Sequence, residues 1–245
     1  MRLNLTEFTA RTHRVVRPRT PLRHTSLTAP DPIGFLYGDR DGLNLLAGLF
    51  AFAARSRRTI VHVPLRNGLP PIEMPGDRVD LLLVHHTYGL RASKWPELRR
   101  SLGQGTPLTA HTDETRTDRH AEAWRARSGH ADLRDTFRHA THAGTFFLFG
   151  SRDLFAQTAR ELTHAAQQGP HQKEVAKGRS TLMTNLPALL QPPGGGHPLE
   201  VLICFKNRPP RDRKPTPSAR PPAPTPALKT PAPPANRPPR TAASP

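Results

Sequence analysis

The sequence predicts an α/β protein: a three-layer, mostly parallel, doubly wound sheet of the Rossmann-like kind, followed by a disordered, basic, Pro-rich C-terminal tail. Three observations predict it. Between residues 31 and 206, short apolar runs end in Gly, Asp or His and give way to helical stretches, the pattern left by parallel strands joined through helices. The run at 79–84, Val-Asp-Leu-Leu-Leu-Val, is apolar almost throughout, as a strand covered on both faces requires. Beyond Lys206 the composition changes: 14 of the 29 prolines lie in 207–245, and nothing strongly apolar follows Leu228. Such a segment cannot bury enough surface to offset the entropy of ordering it.

The elements follow in order. Residues 1–30 carry Arg2, Arg11, Arg14, Arg17, Arg19 and Arg23 among Pro18, Pro21 and Pro30, and are expected to form an extended basic arm. The domain then spans 31–206. It opens with a strand over 33–37, the polar turn Gly38-Asp39-Arg40-Asp41-Gly42, and a helix over 41–56. Leu43, Leu45, Leu46, Leu49, Phe50 and Phe52 occupy most of that helix's circumference, so it is packed on several sides. Strands follow at 59–63 and 79–84. Ser93 caps a helix that has Pro96 in its first turn and ends near Gly103, and a fourth strand covers 106–110. An Arg- and His-rich helical insertion occupies 112–143, expected as two surface helices broken at Ser128-Gly129 and anchored by Trp124, Leu133 and Phe137. A fifth strand at 145–149, a helix over 151–166 capped by Ser151, a short helix within 181–190 and a last strand at 199–205 complete the domain.

Charge points to function. The formal net charge is +17, of which the tail's eight basic residues against Asp212 hold +7, leaving +10 on the body. Only six of the 36 basic residues are Lys; a GC-rich genome would favour Arg over Lys, but would not make Asp and Glu scarce. Polyanions are the natural partners of such a field, because Arg and Lys on phosphates release counterions. The leading expectation is therefore an accessory, nonenzymatic protein that binds DNA or RNA through phosphate contacts. The surface expected to do so comprises Arg14, Arg17 and Arg19 of the arm, Arg116, Arg119, Arg125, Arg127, Arg134 and Arg138 of the insertion, and Arg211 and Arg213 of the tail. Trp124 and Phe137 are better placed as core anchors than as platforms for bases. A protein partner reading the Pro-rich tail is a third possibility.

Several classes are excluded. The first residues lack the apolar core of a secretion signal, with Glu7 interrupting them early. The most apolar window, 42–54, is shorter than the roughly 20 residues of a membrane-spanning helix. The expectation is thus a cytoplasmic protein without membrane insertion. Cys204 is the only cysteine, so no disulfide forms within the chain. Neither a Gly-x-Gly-x-x-Gly turn nor a phosphate-binding loop of the ATPase type is present, and no cofactor is expected for a binding protein.

The alternative is an enzyme. In open parallel sheets ligands bind beyond the carboxyl ends of the strands. The residues there include Asp39, Asp41, His85, His111 and Asp113, with His86, Thr87, Ser151 and Arg152 alongside. If the first five converged, they would suit Mg²⁺ or Mn²⁺ in a metal-dependent phosphoesterase or nuclease. Asp39-Arg40-Asp41-Gly42 after an apolar strand resembles the first motif of haloacid-dehalogenase-type phosphatases, which implies a nucleophilic first Asp and Mg²⁺ held by both acids. Leu43 stands where that motif has Thr. Read as Asp41-Gly42-Leu43-Asn44-Leu45, the same turn is similar to the opening of PIN-like nucleases, with Asp80 in a matching place and His85-His86-Thr87-Tyr88 where an acidic loop belongs. Each resemblance covers a few residues and places the chain in neither family. His139 and His142, spaced to share a helical face with Asp135 one turn earlier, are expected on a solvated surface.

Overall fold

Polar and apolar residues alternate from the second residue onward, and the alternation wins over the arginine content. The computed structural model describes residues 1–68, 76–128, 135–187 and 199–207. In it Arg2–Ala10 (β1) and His13–Pro18 (β2) form an antiparallel hairpin. Leu3, Leu5, Val15 and Val16 are wholly buried. The expected extended arm is therefore two strands of the main sheet, because Leu3 and Leu5 alternate with polar residues along β1 and Val15 and Val16 give β2 one buried apolar residue on each face.

The remaining elements are Ser26–Leu27 (β3), Ile33–Gly38 (β4), Arg40–Arg55 (α1), Thr59–Val63 (β5), Asp80–His85 (β6), Trp95–Arg100 (α2), Thr106–His111 (β7), Glu114–Ser128 (α3), Arg138–His142 (β8), Thr145–Gly150 (β9), Arg152–Gln168 (α4), Lys173–Ala176 (α5), Thr181–Asn185 (β10) and Glu200–Phe205 (β11). They build a seven-stranded sheet in the order β7-β1-β2-β5-β6-β9-β8 and a four-stranded sheet in the order β10-β11-β4-β3. In the large sheet β2 runs parallel to β5 and β6 parallel to β9; the other neighbours are antiparallel. In the small sheet only β11 and β4 are parallel.

The α/β class holds, with a large central sheet and packed helices. The single doubly wound parallel sheet does not. Two connections decide this, because short turns can join only antiparallel strands. One is the hairpin between β1 and β2. The other joins β8 to β9 through Ala143 and Gly144, both with positive φ (48° and 68°), the two-residue turn whose twist matches a hairpin. The second half of the expected helical insertion is consequently the edge strand β8, and His139 and His142 point to opposite faces instead of sharing one. Likewise, the short helix expected after residue 181 begins as a strand, β10, paired with β11.

One face of the large sheet packs on α1 and α4, and α3 lies against those two helices. Leu3, Leu5, Val16, Val61, Val63, Leu81, Leu83, Phe146 and Leu148 share a core with Leu46, Phe50 and Phe155 of the helices and with Leu36, Val201, Ile203 and Phe205 of the small sheet. Ten of the sixteen α1 residues are buried, as expected of a helix apolar nearly all round. It approaches β1 closely at Gly48, where a Cβ would lie 2.8 Å from Leu3 Cδ2. The opposite face of the sheet buries Val15, Ile60, Leu82, Val84, Phe147 and Phe149 beneath Leu90, Trp95 and Leu98. Trp124 and Phe137 are core residues, and Cys204 is buried with its thiol pushed up to about 11 by burial, against a bond to Tyr37. No helix among the described residues is long and apolar enough to cross a membrane. The tail from 208 onward lies outside the described residues.

Asp39 starts α1. Its carboxylate accepts a hydrogen bond from the Gly42 N–H at 2.8 Å, satisfying one of the free donors of the first turn. Asp39→Ala should lower stability by about 1 kcal/mol and Asp39→Asn by much less, measured by urea unfolding of the full chain.

Candidate functional site

The register of the large sheet gathers basic groups at one of its ends. β6 and β9 finish together there, with His85 opposite Gly150. β5 begins at the same end, and β2 pairs with it so that Arg14 lies opposite Thr59. Helix α1 ends beside them at Arg55 and returns to β5 through Ser56, Arg57 and Arg58, a turn closed by the Thr59 N–H on Ser56 O at 3.1 Å. Helix α4 starts at Arg152, after the Ser151 hydroxyl accepts from the Leu154 N–H at 3.2 Å. These chain ends enclose an open groove of about 530 Å³ lined by Arg14, Arg55, Arg57, Arg58, Arg116 and Arg152, together with Ser56 and Thr59.

The charge there is only partly compensated. Arg14 is held by Glu7 in a two-pronged pair, Nε to Oε1 at 2.7 Å and Nη2 to Oε2 at 2.9 Å, and its Nη1 donates to Thr59 Oγ1 at 3.3 Å. Arg152 donates to Asp153 at 2.9 Å. Arg127 and His120 also contact Asp153, at 2.6 and 3.5 Å. Among the described residues, the side chains of Arg55, Arg57, Arg58 and Arg116 have no carboxylate partner. Guanidinium forks in this number suit phosphate oxygens, and the α4 N-terminus adds positive potential at the same place.

His85 lies beside the groove, buried to 4 % exposure. Burial and the charges of His86, Arg57 and Arg152 push its imidazole down to about 4. Its Nδ1 accepts from the Thr87 N–H at 3.4 Å and lies 2.8 Å from the Thr87 hydroxyl, which puts the proton of the neutral ring on Nε2. His85 is thus a neutral donor at the strand end.

The five residues of the expected metal site are spread out. Asp39 closes β4 of the small sheet and caps α1, while Asp41 is exposed on the first turn. His85 stands at the groove end of the large sheet. His111 closes β7 opposite Arg2, at the other end of β1 from the turn that leads to Arg14. Asp113 accepts from the Arg116 N–H at 3.0 Å at the start of α3. Among the described residues no three His, Cys, Asp or Glu side chains group so as to hold a metal ion.

The expected nucleic-acid surface is divided. Arg14 and Arg116 enter the groove. Arg17, three residues after Arg14 on β2, faces the opposite side of the sheet, where its Nε donates to His62 Nδ1 at 2.7 Å. Arg19 and Arg119 are exposed. Arg125 donates to Gln157 at 3.2 Å, Arg127 pairs with Asp153, and Arg138 lies over the Phe149 ring at 5.4 Å. Arg134, Arg211 and Arg213 lie outside the described residues. Sequence reasoning missed Arg55, Arg57 and Arg58, although three arginines within four residues at a helix-to-strand junction were there as a signal.

Because His85 is held neutral in the fold but titrates near 6.5 when unfolded, the unfolded chain takes up the proton first. Stability should be full above about pH 6.5 and decline as the pH falls towards 4. His62, also lowered by burial despite its bond to Asp80, adds to the same decline. Urea unfolding between pH 7.5 and 4.5 should show a flatter dependence for His85→Asn than for the parent protein. No family model, no curated protein and no solved structure matches the chain, so the chemistry of the groove is argued from its own residues.

Proposed function

We propose that the protein binds nucleic acid through the phosphate backbone, with the arginine groove as its principal contact. The carrying observation is the convergence of Arg14, Arg55, Arg57, Arg58, Arg116 and Arg152 on one groove, four of them without a carboxylate partner among the described residues. Like charges held together repel, and a polyanion relieves the repulsion while releasing its condensed counterions. The lining offers guanidinium forks and the hydroxyls of Ser56 and Thr59, which grip phosphate and sugar and position the protein without reading bases. The role is accessory: His85 offers a donor, Glu7 and Asp153 are occupied by arginines, Asp113 caps α3 and Asp135 accepts from the Ser151 hydroxyl. Arg119 on α3 and the eight basic residues of the tail extend the field. The tail's 14 prolines also give a protein partner a Pro-rich sequence to read, and such work belongs in the cytoplasm.

Fluorescence anisotropy with a labelled duplex across a salt series tests this. The parent protein should lose affinity steeply with salt and show little preference among sequences. Arg57→Gln/Arg58→Gln should weaken binding roughly tenfold or more at low salt, and should shrink the log–log salt slope by about 1 for each arginine that meets a phosphate. Parent-like binding by the double variant would remove the groove from the reading. Absence of binding at low salt would remove the function.

A further inference from the structure

On the face of the large sheet opposite the groove, a second cluster surrounds one carboxylate. Asp80, at the start of β6, has a side chain only 4 % exposed. Its Oδ1 accepts from the backbone N–H groups of Leu65 and Arg66, both at 3.2 Å. Its Oδ2 lies 2.9 Å from Arg66 Nη2, 3.3 Å from His62 Nε2 and 3.6 Å from Arg99 Nη1. His62 continues the chain, because its Nδ1 accepts from Arg17 Nε at 2.7 Å. An arginine Nε always carries its proton, so Nδ1 is bare and the His62 proton sits on Nε2, donating to Asp80. The ring is neutral and both its nitrogens are engaged.

Three guanidiniums are therefore tied, directly or through one imidazole, to a single carboxylate, and two positive charges are left over. Arg17 is immobilised further by stacking on Phe8 at 4.8 Å. Arg66 lies against Gly144, where a Cβ would come within 2.8 Å of its Nη1. The terminal nitrogens of Arg17 make no hydrogen bond or ion pair among the described residues, and Arg99 uses one of its own at the long distance of 3.6 Å. Trp95, wholly buried and edge-on to His62 at 5.0 Å, adds an indole N–H with no acceptor among the described residues. Burial lowers the basicity of Arg17, and nearby Arg99 lowers it further against the pull of Asp80. The charges of the two guanidiniums are mutually unfavourable.

The geometry points to a second anion site, separate from the groove, in which Arg17, Arg66 and Arg99 clamp a compact phosphate dianion beside Asp80. Two uncompensated charges match a dianion such as inorganic phosphate or the terminal group of a phosphomonoester, and not the single charge of a phosphodiester link. Asp80 is not a ligand for the anion. It holds the guanidiniums in place, as a carboxylate can only when burial is outweighed by the bonds of His62 and Arg66, which keep its carboxyl well below the usual range.

The test is a thermal-shift titration of the full chain at pH 8 with inorganic phosphate, a nucleoside 5′-monophosphate and dimethyl phosphate, since a ligand of the native state raises the melting temperature. Arg99→Gln removes an arm that is 41 % exposed and leaves the His62–Asp80 bond intact. Arg57→Gln/Arg58→Gln removes the groove instead. Phosphate should raise the melting temperature of the parent and of the groove variant, several-fold less that of Arg99→Gln, and dimethyl phosphate should do little. A response to the monophosphate alone would still support the clamp and make the ester part of its ligand. Arginine side-chain NMR gives the location: the Nε–H signals of Arg17 and Arg99 should move on phosphate addition. Movement confined to Arg57, Arg58 and Arg116, an undiminished response in Arg99→Gln, equal responses to dimethyl phosphate, or no response in any protein would each overturn the proposal. Duplex binding in the salt series is read independently, so loss of the clamp leaves the groove standing.

Discussion

Helices α1 and α4 are pressed against each other and share one core with strands of both sheets, and that shared core fixes where every polar chain end emerges. α1 meets β1 at Gly48, against Leu3, and Phe50 meets Phe155 of α4 edge-on at 6.0 Å. With both helices locked, the C-terminus of α1 and the N-terminus of α4 come out at the end of the sheet where β6 and β9 finish. The turn Ser56-Arg57-Arg58 and the start of α4 at Arg152 then have nowhere to go but the rim of the groove. A basic surface on a flexible arm would distribute its charge along a nucleic acid. Charge fixed on the rims of a packed core is presented at set spacings instead, which lowers the entropy lost on binding.

Scarcity of carboxylates is the second constraint. Nineteen acids serve 36 Lys and Arg, and the fold makes several of them serve more than one cation: Asp153 meets Arg127, Arg152 and His120, Glu174 meets Lys177 and Arg179, and Asp80 meets Arg66, Arg99 and His62. The exposed pairs among them, those of Glu174, contribute little to stability. Their distribution says more, because it shows where positive charge has been left unmatched. Arg55, Arg57, Arg58 and Arg116 gather such charge on one face, and the cluster around Asp80 carries an excess on the other.

Much of the helix and strand pattern was legible in the sequence, since α1, β5, β6, β9, α4 and β11 are strongly apolar and their periodicity is local. What stayed hidden was pairing. The edge strand β8, Arg-His-Ala-Thr-His, has no apolar run, because an edge covers little on either side. β1 carried its alternation in plain view at Leu3 and Leu5, and β2 its apolar pair at Val15 and Val16, but arginine and proline density outweighed them. Whether strands run parallel, and in which of two sheets, depends on contacts far apart in sequence that no window records. The site suffered for the same reason. Asp39, Asp41, His85, His111 and Asp113 share a type of position, a strand or helix boundary, without sharing a place. Asp80 looked like part of an apolar strand, and its partners His62 and Arg66 lie more than a dozen residues away. Arg14 and Arg17 read as one surface, whereas an odd spacing on a strand sends them to opposite faces.

That division runs through the whole sheet. β2 supplies Arg14 to the groove and Arg17 to the Asp80 cluster; β6 places His85 at one end and Asp80 at the other, again with an odd spacing and on opposite faces. Five residues of extended chain separate the latter pair by about 16 Å, with the sheet between them. A single phosphate cannot bridge that distance, and the packed sheet offers it no path. The two positive clusters are therefore distinct in place, on opposite faces of the sheet. An extended backbone can lie along the open groove, whose arginines come from four different segments of the chain. The Asp80 cluster instead holds its excess charge around a single buried carboxylate, with Trp95 edge-on to His62.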